Sequence, residues 1–156
     1  MLVLALVAFL IDNSRGRAQQ PPAPQPPAFT AALLAPQLNG QTNKYDIVFY
    51  GNFTNVPAPL RIRVTLRETP VNGNPALTTP APLVTDQTPV PAGQQAGITR
   101  TPNAPQNGSY LGTVTTARYN NVTYNYHVKI VFETSGGGVI HTYKENNSEW
   151  VPVPKP

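Results

Sequence analysis

The stretch PLRIRVTLRE, residues 59–68, decides how this chain is read. Leu60, Ile62, Val64 and Leu66 alternate with Arg61, Arg63, Thr65 and Arg67. Successive side chains of an extended strand point to opposite faces, so this pattern buries one face and wets the other. VTYNYHVKIVFE, residues 122–133, repeats it: Tyr124, Tyr126, Val128, Ile130 and Phe132 alternate with Asn125, His127, Lys129 and Glu133. Both segments read as half-buried antiparallel strands.

Outward from these two, weaker strand patterns occupy 29–35 (FTAALLA), 44–53 (KYDIVFYGNF), 82–86 (PLVTD), 109–119 (SYLGTVTTARY) and 138–145 (GVIHTYKE). SGGG at 135–138 reads as a hairpin turn. With that turn, Thr134 faces Val139, which places His141 opposite Phe132 and His127 opposite Asn146. Residues 70–108 are proline-rich and poor in apolar side chains, so long loops around one edge strand are expected there. The expected fold is all-β: an Ig-like antiparallel Greek-key sandwich of about seven strands with an extended N-terminal tail.

Composition agrees. The 19 prolines and 11 glycines among 156 residues favour turns over helix. Charged residues make up 12%, against roughly 25% in globular chains generally. The net charge of +4 is scattered rather than gathered into the dense basic patch of a nucleic-acid binder, so no nucleic-acid partner is expected. The chain has no cysteine, which excludes a disulfide framework, a thiolate metal site and a cysteine nucleophile.

The expected organisation has three parts. Residues 1–11, MLVLALVAFLI, are wholly apolar. Residues 12–28 form a polar and proline-rich linker containing PPAPQPP at 21–27, an extended spacer. Residues 29–156 form the sandwich. The YNYHVKIVF segment resembles the sixth strand of fibronectin type III and other Ig-like domains. The layout of apolar tail, linker and Ig-like body resembles the subunits of chaperone–usher pili and of archaeal threads. That resemblance implies donor-strand complementation, in which one subunit completes the sheet of the next.

Three roles for the apolar start follow from its length. As a helix it is about 16 Å long, too short for a stable membrane span. As a signal-peptide core it suits a cut before Gln19, after Gly16 and Ala18, although no basic residue precedes it. As a strand it is apolar on both faces, as a doubly buried strand must be. On the last reading Leu2, Val3, Leu4, Leu6, Val7, Phe9, Leu10 and Ile11 form the polymerisation strand of a head-to-tail homopolymer. The function expected is then a structural subunit of an extracellular or cell-surface filament. The alternative is a secreted monomeric Ig-like module, binding carbohydrate or protein, with residues 1–18 removed.

Four N-x-S/T sequons lie at strand ends and turns: Asn52, Asn107, Asn121 and Asn146. They are the expected acceptors of N-linked glycans. Tyr50, Phe53, Tyr119 and Tyr143 are candidates for a partly exposed sugar-stacking platform. His127 and His141, the only histidines, lie several positions apart and read as solvated or half-buried. The seven acidic residues are dispersed, and no nucleophile, metal-ligand or phosphate-loop pattern occurs. No enzyme activity, cofactor or metal is expected.

Overall fold

A computed structural model describes residues 22–56, 59–71, 76–81, 83–86, 97–100, 106–117 and 124–155. The apolar segment 1–11, expected as a donated strand or a signal-peptide core, lies outside the described residues, as do most of the linker, Asn121 and Tyr119.

The fold is built on the two segments that opened the sequence analysis. β5 (Leu60–Pro70) and β10 (Tyr124–Thr134) pair antiparallel along their whole length. The register sets Ile62 opposite Phe132, Val64 opposite Ile130 and Leu66 opposite Val128. All six side chains are fully buried. The period-two reading is met along β5 and at Val128, Ile130 and Phe132 of β10, whereas Glu133, expected on the wet face, is buried.

A second sheet faces this one. Its centre is β4 (Lys44–Thr54) paired with β9 (Gly108–Thr115). β4 sends Ile47, Phe49 and Phe53 into the core, and β9 sends Tyr110 and Val114. Two glycines of β9 make this pairing possible. Gly108 lies opposite Phe53 and Gly112 opposite Phe49. A Cβ at either glycine would overlap the facing ring. Each aromatic ring therefore lies across a bare stretch of its partner's backbone.

The remaining strands add at the edges. β1 (Ala28–Phe29), β2 (Ala32–Leu33) and β3 (Gln37–Asn39) all pair with β4 and act as one edge strand. Leu33 faces Phe49 but Gln37 faces Asp46, so four steps along one strand match three along the other. The extra residue is a bulge at Ala35–Pro36, a position that tolerates proline. β8 (Gly97–Arg100) pairs with the far side of β9. In the other sheet, β6 (Leu77–Pro80) and β7 (Val84–Thr85) border β5, while β11 (Val139–Thr142) and β12 (Val151–Pro152) border β10.

The two sheets thus run β1–3, β4, β9, β8 and β6–7, β5, β10, β11–12. This is the strand order of an Ig-like Greek-key sandwich. Its upper end holds the finish of β4 and β10 and the start of β5 and β9. The lower end holds the start of β4 and β10, where Tyr45 packs on Tyr126.

Four sequence expectations need correction. Residues 70–108 contain three short strands, β6, β7 and β8, rather than one. They are edge strands of two to four residues, too short to show alternation. The final strand is split. β11 stops at Thr142, the chain makes a small turn bridged between Glu145 and Ser148, and β12 returns beside His127 and Val128. The register also shifts in β11, setting Val139 opposite Glu133 rather than Thr134. Phe53, expected at the surface, is 1% exposed.

The sheets are clamped together on the β7–β8 side. The Arg100 guanidinium donates to both carboxylate oxygens of Asp86, at 2.9 and 2.8 Å, and to Oε1 of Gln106 at 3.0 Å. The Leu60 N–H donates to the same carboxylate at 2.7 Å. One carboxylate therefore links β7, β8 and the start of β5. At the lower end the buried Glu68 carboxylate accepts from the Ala117 N–H at 2.7 Å, a second tie between the sheets.

Gly112→Ala is expected to destabilise the domain by about 1–3 kcal/mol, because the Phe49 ring must leave its place over β9. Urea unfolding measures this. A substitution that leaves the midpoint unchanged would show that the ring has room to move.

Candidate functional site

The side of the sandwich opposite the Asp86–Arg100 clamp is less completely covered. There the β1–β2 edge of one sheet lies beside the β11–β12 edge of the other. Seven partly buried apolar residues pack against the core, and five of them lie here: Phe29, Ala31, Leu33, Ile140 and Tyr143. Between the edges is a hollow of about 180 Å³, walled by Ala31, Leu33, Tyr143, Val151 and Pro152 and reaching Ile130. Glu145 and Pro154 also border it. At its upper end Phe29 closes the gap, stacked on His141 with ring centroids 5.1 Å apart and packed on Phe132 at 4.2 Å.

The two bordering edges differ in what they offer a further strand. On the first edge, the Thr30 and Leu34 N–H groups donate to β4. Alternate residues of an antiparallel strand bond to opposite sides, so the peptide groups of Phe29, Ala31 and Leu33 face outward. No described strand pairs with them. On the other edge, the Tyr143 and Val153 N–H groups donate to β10. The outward positions there include Pro152 and Pro154, which have no N–H to give. The β12 edge is thus protected against pairing and the β1–β2 edge is not.

The β1–β2 strand is held in place by Tyr110. Its hydroxyl donates to the Thr30 carbonyl at 2.7 Å, passing over Gly51, where any Cβ would obstruct it. Burial raises the pKa of this phenol, so it stays a donor.

The described sequons occupy three different settings. Asn146 is exposed at φ 50°, followed by Asn147 at φ 63°, in the turn between Glu145 and Ser148. Asn52 is exposed on the outer face of β4. Asn107 is half-buried, and its side-chain oxygen accepts from the Asn55 N–H at 3.0 Å. The tripeptides beginning at Asn52 and Asn107 run side by side, with Asn52 opposite Ser109 and Phe53 opposite Gly108. Glycans on both would compete for the same space.

The aromatic platform does not form. Tyr50 is exposed on the outer face of β4, Phe53 lies in the core, and Tyr143 packs at the crevice. The histidines are also kept apart. His141 faces Phe132, as the turn predicted, but His127 faces Pro152 and Arg67 instead of Asn146. The reason is the Tyr143–Trp150 excursion, which removes those residues from the ladder. Burial, then Lys144, lowers the pKa of His141; burial, then Arg67, lowers that of His127.

The outer face of β5 and β10 carries much of the basic charge, largely paired. Arg63 donates to Glu133 at 2.8 Å, and Lys129 to Glu149 at 2.6 Å. The Lys129 bond holds the Glu149 carboxyl below its usual range. The Arg67 guanidinium stacks 3.8 Å from the centre of the Trp150 ring. Trp150, the only tryptophan, therefore serves the outer surface rather than the core.

Among the described residues, no group of three or more His, Cys, Asp or Glu could hold a metal ion. No helix among them is long and apolar enough to cross a membrane. In comparisons with protein-family models, curated proteins and solved structures, nothing matches the chain.

Two expectations follow. Both histidines favour the neutral form in the folded state, while the unfolded chain takes up protons near pH 6.5. Stability contributed by the neutral rings is therefore present above pH 6.5 and is lost as pH falls through that value. Calorimetry at pH 7.5 and 5.5 should show a melting temperature that falls on acidification, and falls less in His141→Phe. Equal pH dependence in both proteins would discount the Phe29–His141 stack as the source. In a glycosylating host, site-resolved mass spectrometry should find Asn146 most occupied and Asn107 least. Full occupancy at Asn107 would mean that its bond to Asn55 gives way.

Proposed function

We propose that this chain is a structural subunit of an extracellular filament, in which Leu2–Ile11 of one copy adds as a strand to the β1–β2 edge of the next. The observation that carries the reading is the crevice: an edge at Phe29, Ala31 and Leu33 with which no described strand pairs, beside a core that partly buried residues cover. An incoming strand would need to bring backbone partners for that edge and apolar side chains for the hollow. The segment MLVLALVAFLI has both, with no proline and no charge. Burying most of its side chains would contribute on the order of 10 kcal/mol before the cost of ordering it. The contact is heterologous, so repetition gives an open fibre rather than a closed ring. A subunit of this kind is a non-enzymatic surface protein, with Asn52 and Asn146 available for glycans.

The absence of native cysteine makes the test direct. A cysteine scanned through Leu4, Ala5, Leu6, Val7 and Ala8 is combined with Ala32→Cys, and the purified protein is oxidised. A ladder of covalent multimers is expected at one or more positions. Closure within single molecules would overturn the polymer. So would filaments that persist unchanged after deletion of residues 1–11, or purified subunits whose intact mass begins at Gln19.

A further inference from the structure

The lower end of the sandwich carries a second hollow, of about 240 Å³, where the C-terminal segment runs past the start of β10. Its wall is aromatic and proline-rich. The Tyr124 and Tyr126 rings are inclined at 39° with centroids 6.1 Å apart, and Pro152 and Pro154 continue the apolar surface. Lys155 borders it, and so do Asn125 and His127, which alternate with the two tyrosines and belong to the outer face of β10. The same two prolines also border the assembly crevice, so the two hollows lie on either side of one segment.

This combination matches the chemistry of a polyproline II segment. Proline rings pack on aromatic faces, and a proline-rich backbone is already extended, so little ordering entropy is lost on docking. Such a backbone has few N–H groups and many uncovered carbonyls. A complementary site must therefore supply a donor, and the Lys155 ammonium borders this hollow.

The chain carries such a segment. PPAPQPP at 21–27 contains five prolines. Residues 22–27 are all exposed, and Gln25 accepts from Asn55 Nδ2 at 3.4 Å. The contact with Asn55 and the pairing of Ala28 with Thr54 place this segment at the upper end. Tyr124 lies opposite Pro70, at the lower end. The eleven-residue length of β5 separates the two ends, about 33 Å at 3.3 Å per residue. Residues 22–27 therefore lie at the wrong end to fill the pocket of their own molecule.

We infer that the proline-rich run Pro22–Pro27 of one copy docks in the Tyr124–Tyr126 pocket of a second copy. This deepens the filament reading and rests on it for its biological setting. It gives the assembly a polarity, with the upper end of each subunit against the lower end of its neighbour. It also gives the linker a task beyond spacing, because a docked linker fixes the angle between successive subunits where a free one does not.

The test uses the full chain in three forms. Pro24→Cys and Asn125→Cys are prepared separately, mixed and oxidised. A covalent pair joining the two different variants is expected; its absence in assembled material overturns the inference. A fluorescently labelled PPAPQPP peptide is then titrated into the wild type and into Tyr124→Ala, with anisotropy as the readout. Binding should weaken about tenfold or more in the variant, equivalent to about 1.4 kcal/mol. Equal binding to both proteins, or equal binding of a peptide with serine in place of proline, overturns the pocket. Tyr124 is only partly buried, and a matching melting temperature shows that the variant is folded. The two readings fail separately. A cross-link from the 4–8 scan without one at Pro24 rejects the linker site alone. Peptide binding without any 4–8 cross-link rejects the inserted strand alone.

Discussion

The ladder between β5 and β10 is the constraint on which the rest of the structure depends. It is the longest pairing in the protein, and its register sets six fully buried side chains in facing pairs. A slip of one residue would turn Arg61, Arg63 and Arg67 into the core and expel the aliphatic row. The second sheet is then chosen by fit. Phe49 and Phe53 can meet this core only because Gly112 and Gly108 leave room for their rings. With four central strands fixed in this way, the edge strands are free to be short, bulged or split.

That freedom is used differently on the two sides. On one, β7 and β8 are drawn together by Asp86 and Arg100, both only 17% exposed. The charge-assisted bonds there also satisfy the Leu60 N–H. On the other side, among the described residues, contact is made by ring stacking at Phe29 and His141 and by small or partly buried residues below them. Pro152 and Pro154 protect the β12 part of the crevice border against casual pairing, while no proline protects the β1–β2 edge.

The charged surface has a simpler role. On the outer face of β5 and β10, arginine and lysine are engaged by Glu133, Glu149 and the Trp150 ring. The same pairs link the excursion at Lys144–Trp150 back to the sheet, which keeps β12 beside β10.

What the sequence determined by itself was the inner half of the fold. Alternation in 59–68 and 122–133 specified both central strands and their buried faces, because a period of two has only one structural meaning. It also indicated the turn at 135–138 and the pairing of His141 with Phe132. The edges were only partly legible. The stretch 82–86, which holds β7, was readable, but β6 and β8 were not, since strands of four residues carry little periodicity; they exist because β5 and β9 present them with partners. Nor did composition reveal that Asn107 is tied to Asn55 while Asn146 stands free on a turn, since a sequon says nothing of its surroundings. The crevice and the tyrosine pocket were likewise invisible. Both are made from residues far apart in sequence, brought together only when the two sheets pack and the last strand divides around its excursion. The apolar tail and the proline-rich run could be read directly, but which surfaces suit them was decided by tertiary structure.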